Sequence, residues 1–313
     1  MPLLRRATGR AYFGLQAVAG ALWWVLVPTV EPVRTATLGG LDPLLVGVFD
    51  VPLFVLASAL VAAGIRGAVR VVTPWTLLVT VGMVLWATLT GTAGWGAVAM
   101  LGASAGTLGA AMLVVFDRIP MERFLLGPLA FRPARRIEGT APLIATLVQM
   151  AVFWTLFLVV LPLPAIWLER RWGVALPLDD GTAAVSTVAG AALLVVASDL
   201  GVWSAVTMAR LGRGTPLPGA MPHRLVIAGP YRWVRNPMAV AGIAQGVAVG
   251  LLGSSWLVIV YALAGGVFWH LLVRPLEEQD LATRFGQDYA RYRAAVSCWL
   301  PRPAAPHAPV ARP

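Results

Sequence analysis

The sequence predicts an all-α fold, a polytopic transmembrane helical bundle of about eight spans with a C-terminal cytoplasmic helical segment. Three observations carry that prediction. Hydrophobic residues fill 58% of the 313 positions. Charged residues fill only 12%, about half of the roughly 25% usual in soluble domains. Apolar runs of about 20 residues, the length that crosses a bilayer as a helix, recur along most of the chain.

The spans are expected near 11–30, 43–65, 73–91, 95–116, 141–167, 183–208, 238–253 and 256–273. No A-x-A-like cleavage site follows the first apolar run, so it reads as a retained span and not a signal peptide. The connections alternate in arginine content. Arg5, Arg6 and Arg10 precede the first span, and Arg66 and Arg70 follow the second. Arg118, Arg123, Arg132, Arg135 and Arg136 fill the 117–140 connection, and Arg210, Arg213, Arg224, Arg232 and Arg235 the 209–237 connection. The intervening connections are poor in arginine or mix it with acids, as at Glu169, Arg170, Arg171, Asp179 and Asp180. Cytoplasmic loops carry the excess of basic residues. The alternation therefore predicts a multi-pass protein of the cell membrane with both termini cytoplasmic. The last two spans are short and joined by GLLGSS, which reads as a tight helical hairpin. After Pro275 a polar helical segment is expected, and residues 303–313, rich in Pro and Ala, read as a disordered tail.

Composition also excludes some functions. All of the basic residues are arginine, and the net charge is +10. These arginines are spread over the loops between spans, where they set topology, so the charge does not imply nucleic acid. The single cysteine, Cys298, rules out an internal disulfide and a multi-thiolate metal site. His223, His270 and His307 lack metal-ligand spacing, and no metal is expected.

Between the sixth and seventh spans stands GPYRWVRNPM, Gly229 to Met238. Its two prolines, two arginines and two ring side chains exceed what a solvated connection needs. Its setting reads LGRGTPLPGAMPHRLVIAGPYRWVRNPM, then an apolar hairpin, then EEQDLATRFGQDYARYRAAVSCWLPR. This arrangement resembles the isoprenylcysteine carboxyl methyltransferase and phospholipid methyltransferase family. Its pattern is a GPYRxVRHPM-like loop, a helical hairpin, a Glu-Glu pair, FGxxYxxY and a closing Trp-hydrophobic-Pro. The resemblance is specific over about Gly212 to Arg302 and weaker back to Ala141. It implies a methyltransferase-like membrane domain over 141–302 and says nothing about 1–140, an accessory transmembrane region of four spans that could serve as an accessory domain, a partner-docking surface or part of the acceptor cavity.

The resemblance further implies an integral membrane enzyme that binds S-adenosylmethionine on the cytoplasmic side and methylates a lipid-like or isoprenoid acceptor. It points to Gly229, Pro230, Tyr231, Arg235, Pro237, Glu277, Glu278, Tyr289 and Tyr292 as cofactor-binding residues, with Arg235 and Asn236 catalytic. The chemistry agrees with these residue types. S-adenosylmethionine presents a sulfonium, an ammonium, a carboxylate, a diol and an adenine, which call for carboxylates, an arginine and aromatic faces. Arg232 and Trp233 belong to the same supply. Glu278 shares a helical face with Leu281 and Phe285, so an unpartnered carboxylate there is costly and a partner is expected. Gly286 is expected to break the helix, so Tyr289 and Tyr292 come only from the resemblance.

Simpler roles compete for these residues. Arg232 and Arg235 also serve as topology charges, and Glu277 and Glu278 also suit the first turn of a helix after Pro275. Asp199, inside the sixth span, and His270, near the end of the last, are candidates for function in the membrane. Asp50 is a weaker one. Asn236 stands where the family pattern commonly has histidine, and asparagine does not titrate near neutrality. That favours an acceptor with a carboxylate or enolate head over an amine, unless Asp199 or His270 supplies a base. Two other functions compete. One is an NADPH-dependent membrane reductase of the steroid-reductase type, whose RHPNYxGE pattern differs from RNPMAVAG here. The other is a non-catalytic membrane scaffold.

Overall fold

The structure is a computed structural model that describes residues 5–121, 141–212 and 223–301. The expected tail, Arg213 and the arginines at 123, 132, 135 and 136 lie outside the described residues. The described chain is helical, with no strand; its one β-like pairing is an isolated bridge between Val234 and Ser297.

In chain order the helices are α1 (Arg6–Thr29), α2 (Glu31–Thr37), α3 (Pro43–Asp50), α4 (Ala57–Ala63), α5 (Val69–Thr90) and α6 (Gly94–Phe116). There follow α7 (Ala141–Trp154), α8 (Pro162–Arg171), α9 (Asp180–Gly212), α10 (Pro237–Leu252), α11 (Trp256–Phe268) and α12 (Arg274–Ala295). Three π-helical turns, Val51–Leu56, Thr155–Val160 and Trp269–Val273, join α3 to α4, α7 to α8 and α11 to α12 into continuous rods.

Among the described residues, seven helices are long and apolar enough to cross a membrane, and Pro237–Leu252 is a shorter apolar one. These match the eight spans expected from the sequence, and the protein is a multi-pass helical membrane protein. Two lengths are informative. At 1.5 Å per residue, α10 reaches about 24 Å, short of the roughly 30 Å hydrocarbon core. From Trp256 to the kink at Gly286 the helix reaches about 45 Å, about one and a half times that thickness. Only its apolar first half spans, and the polar α12 extends beyond the bilayer core.

Local chemistry sets several boundaries. Asp42 caps α3 by accepting from the Leu44 and Leu45 amides, with Pro43 in the first turn, where its missing donor costs nothing. Ser255 caps α11 through the Val258 amide. Pro237 opens α10 directly after the GPYRWVRN turn. The hairpin predicted from GLLGSS is present between α10 and α11.

The chain divides into two compact units. The first comprises Met1–Pro120 and Trp167–Ala175. Phe13, Phe54, Val61, Val69, Val72 and Val114 form its apolar core. Polar side chains within it pair with one another: Gln16 donates to Ser58 at 3.1 Å and accepts from Thr107 at 2.8 Å. Asp50 accepts an indole N–H from Trp24 at 2.8 Å and from Trp75 at 3.0 Å.

The second unit comprises Met121–Ile166 and Leu176–Pro313. Its centre is α9 packed on α10, and α10 on α11. Small residues allow the approach: a Cβ on Gly190 would come within 2.9 Å of the Ala248 carbonyl, and one on Gly246 within 2.7 Å of Ala262. Close backbone approach of this kind is how helices associate in lipid, where dispersion replaces the hydrophobic drive. Gln245, fully buried on α10, donates to Ser198 on α9 at 3.0 Å.

Candidate active site

The site begins with the turn Gly229–Arg232. Gly229 has φ +55°, and a side chain there would also strike Thr207 and Trp203, so glycine is required on both counts. The turn buries Pro230 and Tyr231. The Tyr292 hydroxyl, from α12, donates to the Tyr231 carbonyl at 2.7 Å. The chain then runs beside the end of α12's connection, where the Arg235 amide donates to the Ser297 carbonyl at 2.9 Å.

These two ties fix Arg235 over α12. Its Nη2 meets Glu278 Oε1 at 3.0 Å and its Nη1 meets the Arg293 carbonyl at 3.2 Å. Arg274, one turn before Glu278, reaches the same oxygen at 3.2 Å, and Arg293 stands 3.9 Å from the other. The partner expected for Glu278 is thus present, and it is arginine. Arg235 Nε is buried with no hydrogen-bond partner among the described residues.

Gly286 adopts φ +50° and ψ −122° inside α12. This is the predicted break in the helix. The kink carries Tyr289 and Tyr292 into a small core with Val296, packed by Leu281 and Phe285.

All of this surrounds a cavity of about 520 Å³, within the range of small-molecule sites. One end is lined by Tyr231, Arg235, Asn236, Pro237, Glu277, Glu278, Tyr289 and Tyr292. The other end runs between membrane helices, against Phe153, Trp154 and Phe157 near the end of α7, Ile243 and Gln245 on α10, and Tyr261, Gly265 and Gly266 on α11. Seven of the nine residues expected to bind cofactor therefore line one cavity, together with both residues expected to be catalytic. Gly229 and Pro230 shape the turn without lining it.

The Glu277 carboxylate has no hydrogen bond or ion pair among the described residues, although it lines the cavity. Burial raises its pKa to about 7, with help from the negative charges of Glu278 and Asp280. Burial likewise pushes the Tyr289 hydroxyl up to about 12, and those of Tyr231 and Tyr292 well above their ordinary value. All three tyrosines are therefore neutral donors at physiological pH.

Other sequence candidates lie elsewhere. Arg232 sits over the exposed Trp233 ring at 5.4 Å, and neither lines the cavity. Asp199 is exposed on α9 and outside the cavity lining. His270 Nδ1 accepts from Trp299 Nε1 at 2.8 Å and is also outside the lining. Asn236 donates to the Cys298 sulfur at 3.3 Å.

The structure also adds residues that the sequence reading passed over. Arg274 is one; its i,i+4 spacing to Glu278 was a readable signal. Arg224 lines the cavity just before the turn. Gln149 lines it from α7, and its buried Oε1 has no partner among the described residues. A lone amide in an otherwise apolar span was its only sequence signal.

A family model described as phospholipid methyltransferase matches residues 185–288. Residues 185–288 are a phospholipid methyltransferase family domain. The resemblance seen in the sequence is thereby shown, and the domain belongs to a family of membrane methyltransferases. It takes in most of α9, the Gly229–Pro237 turn, the α10–α11 hairpin and Glu277 with Glu278. Tyr289 and Tyr292 fall just past its end. No protein of curated function and no solved structure is matched by the chain.

Proposed function

We propose that this protein is an integral membrane S-adenosylmethionine-dependent methyltransferase that acts on a lipid-like acceptor at the cytoplasmic face of the cell membrane. The observation that carries the reading is the two-ended cavity within a phospholipid methyltransferase family domain. Its charged, aromatic end suits a zwitterionic nucleoside, and its apolar end suits the body of an amphiphile entering between spans.

The residues fit the cofactor. Arg235 Nε, buried and unpartnered, offers a charge-assisted donor to an amino-acid carboxylate. Glu278 holds that guanidinium in place, and its second oxygen, 3.9 Å from Arg293, remains open to an ammonium or a diol. Tyr231 and Tyr289 provide ring faces for the sulfonium and adenine. The bound cofactor supplies an electrophilic methyl group on a sulfonium. The protein's part is to hold donor and acceptor about 3–3.5 Å apart and in line, and positioning alone can carry much of such a reaction.

Orientation is read from the arginine-rich connections. Single cysteines at positions 215 and 305 should label from the same, cytoplasmic face, and labelling from opposite faces would overturn that part of the reading. The first four spans are read as an accessory region. The enzymatic claim is tested by incubating membranes with methyl-labelled S-adenosylmethionine and extracting the lipid. Label in the organic phase is expected, and label confined to water-soluble products would refute a lipid acceptor.

A further inference from the structure

Glycine inside a helix costs stability relative to alanine, so each one there needs a reason. Three glycines of the α10–α11 hairpin have theirs in packing. A Cβ on Gly246 would come within 2.7 Å of Ala262, one on Gly266 within 2.7 Å of Ile243, and one on Gly250 within 2.5 Å of Ile259. These glycines let the two helices touch, as small residues do in lipid. Gly242 on α10 and Gly265 on α11 differ. A Cβ on either would meet no described atom within 4 Å. Both line the cavity, and both are exposed. The contrast is sharpest between neighbours: Gly265 and Gly266 both line the cavity, yet only Gly266 is needed for packing.

The hairpin's geometry explains why these two positions act together. Its contacts run in opposite directions along the two helices, from Gly250 with Ile259 to Ile243 with Gly266, so the helices are antiparallel. Gly242 and Gly265 each stand one residue before a member of the Ile243–Gly266 contact. In antiparallel helices that single step turns both positions to the same side of the pair. The apolar end of the cavity is walled there by Tyr261 and by Phe153 and Phe157, whose rings stack with centroids 5.6 Å apart. A side chain on either glycine would enter the cavity without displacing a helix.

We propose that Gly242 and Gly265 are specificity-determining residues, whose missing side chains leave the width that the apolar body of the methyl acceptor occupies. The proposal rests on the methyltransferase reading above and deepens it. The charged end of the cavity governs the transfer, and these two positions govern how bulky a body can lie beside it. Added bulk at either takes that space directly, and a hydrophobic pocket discriminates about tenfold or more for a single methylene.

The test uses the full-length protein in phosphatidylcholine vesicles, with diazirine-bearing palmitic acid as a photoactivatable probe of the apolar end. In wild type, adducts should form on Met150, Trp154 and Tyr261, which line the cavity, and on Val260 and Val267, which are exposed on α11 and do not. Gly265→Leu and Gly242→Leu should each lower the cavity adducts about tenfold or more and leave those on Val260 and Val267 unchanged. Methyl transfer from labelled S-adenosylmethionine to membrane lipid should fall in step, while calorimetric affinity for S-adenosylmethionine stays within about threefold of wild type. The double variant Gly242→Ala/Gly265→Ala should lower the cavity adducts about threefold. Its thermal midpoint in detergent should match or exceed that of wild type, because alanine favours a helix and meets no neighbour here.

Cavity adducts unchanged in both leucine variants would overturn the proposal, as would their absence from wild type. Should the leucine variants not fold, the alanine double variant decides. A lower midpoint would make these glycines packing residues, and unchanged adducts would make them irrelevant to the cavity; either result is fatal. A wild-type protein that takes the cavity adducts but neither binds S-adenosylmethionine nor transfers methyl would instead sink the methyltransferase reading, while the control of width by the two glycines would stand.

Discussion

In the first unit, the Asp50 carboxylate receives one indole N–H on each oxygen, from Trp75 and Trp24, and Gln16 is held at both ends by Ser58 and Thr107. In the second unit, Arg235 Nε and Gln149 Oε1 are buried without a partner among the described residues, and Glu277 faces the cavity with no cation or donor among them. Thr73 and Trp86 of the first unit also carry an unpaired buried atom, but neither lines the cavity. The difference separates two uses of polarity inside a membrane protein. A closed set of partners holds helices together, and its donors and acceptors have nothing left to offer. A set left open around a cavity of about 520 Å³ supports the proposal that a ligand completes it. An unsatisfied buried group costs about 1–3 kcal/mol, so several around one cavity are best understood as ligand contacts.

The sharpest way to break the comparison is to open the closed set. Asp50→Ala strips the acceptor from two indole N–H groups and should destabilise the first unit by about 2–5 kcal/mol, read as a lower thermal midpoint in detergent. Affinity for S-adenosylmethionine should not change at temperatures where the variant is folded. A matching loss of affinity would mean the two sets are not functionally separate.

A smaller effect comes from Glu277 and pH. Its folded pKa of about 7 lies above the ordinary 4.5, so the unfolded chain gives up this proton first. The ligand-free protein should therefore lose stability as pH rises from about 4.5 to about 7, by at most about 3 kcal/mol, and stay at the lower value above that. Glu277→Gln should remove this slope and be more stable than wild type at about pH 8. Equal slopes for the two proteins in chemical denaturation would contradict an isolated Glu277.

The smallest effect is expected at Tyr292→Phe, which deletes the 2.7 Å bond to the Tyr231 carbonyl. A loss of about 1 kcal/mol is expected, with cofactor affinity lowered severalfold because the turn is less firmly held. Unchanged stability and affinity together would show that the turn is fixed by its backbone tie to Ser297 alone.

The sequence made the fold legible because lipid imposes a simple rule: every long apolar run must be a helix, and arginine marks the side on which loops remain. The turn Gly229–Pro237, the hairpin and the break at Gly286 were legible from glycine and proline placement. The pairing of Arg235 with Glu278 was half legible. The helical face of Glu278 called for a partner, but choosing among many loop arginines needs three dimensions. What the sequence could not give was the contrast between Glu277 and Glu278. Both occupy the first turns of a helix after a proline, and only the surroundings distinguish a paired carboxylate from an open one. Gln149 was hidden for a similar reason: one amide in an apolar span looks the same whether it meets a neighbouring helix or a cavity.

The central claim is that Arg235 and its surroundings hold S-adenosylmethionine, and calorimetric titration of the purified protein tests it most directly. S-adenosylmethionine or S-adenosylhomocysteine should bind saturably and NADPH should not. Arg235→Ala and Glu278→Gln should each weaken binding about tenfold or more, in line with the roughly 1.5–3 kcal/mol of a charge-assisted hydrogen bond. Binding of NADPH in place of S-adenosylmethionine, or unchanged affinity in both folded variants, would contradict the account.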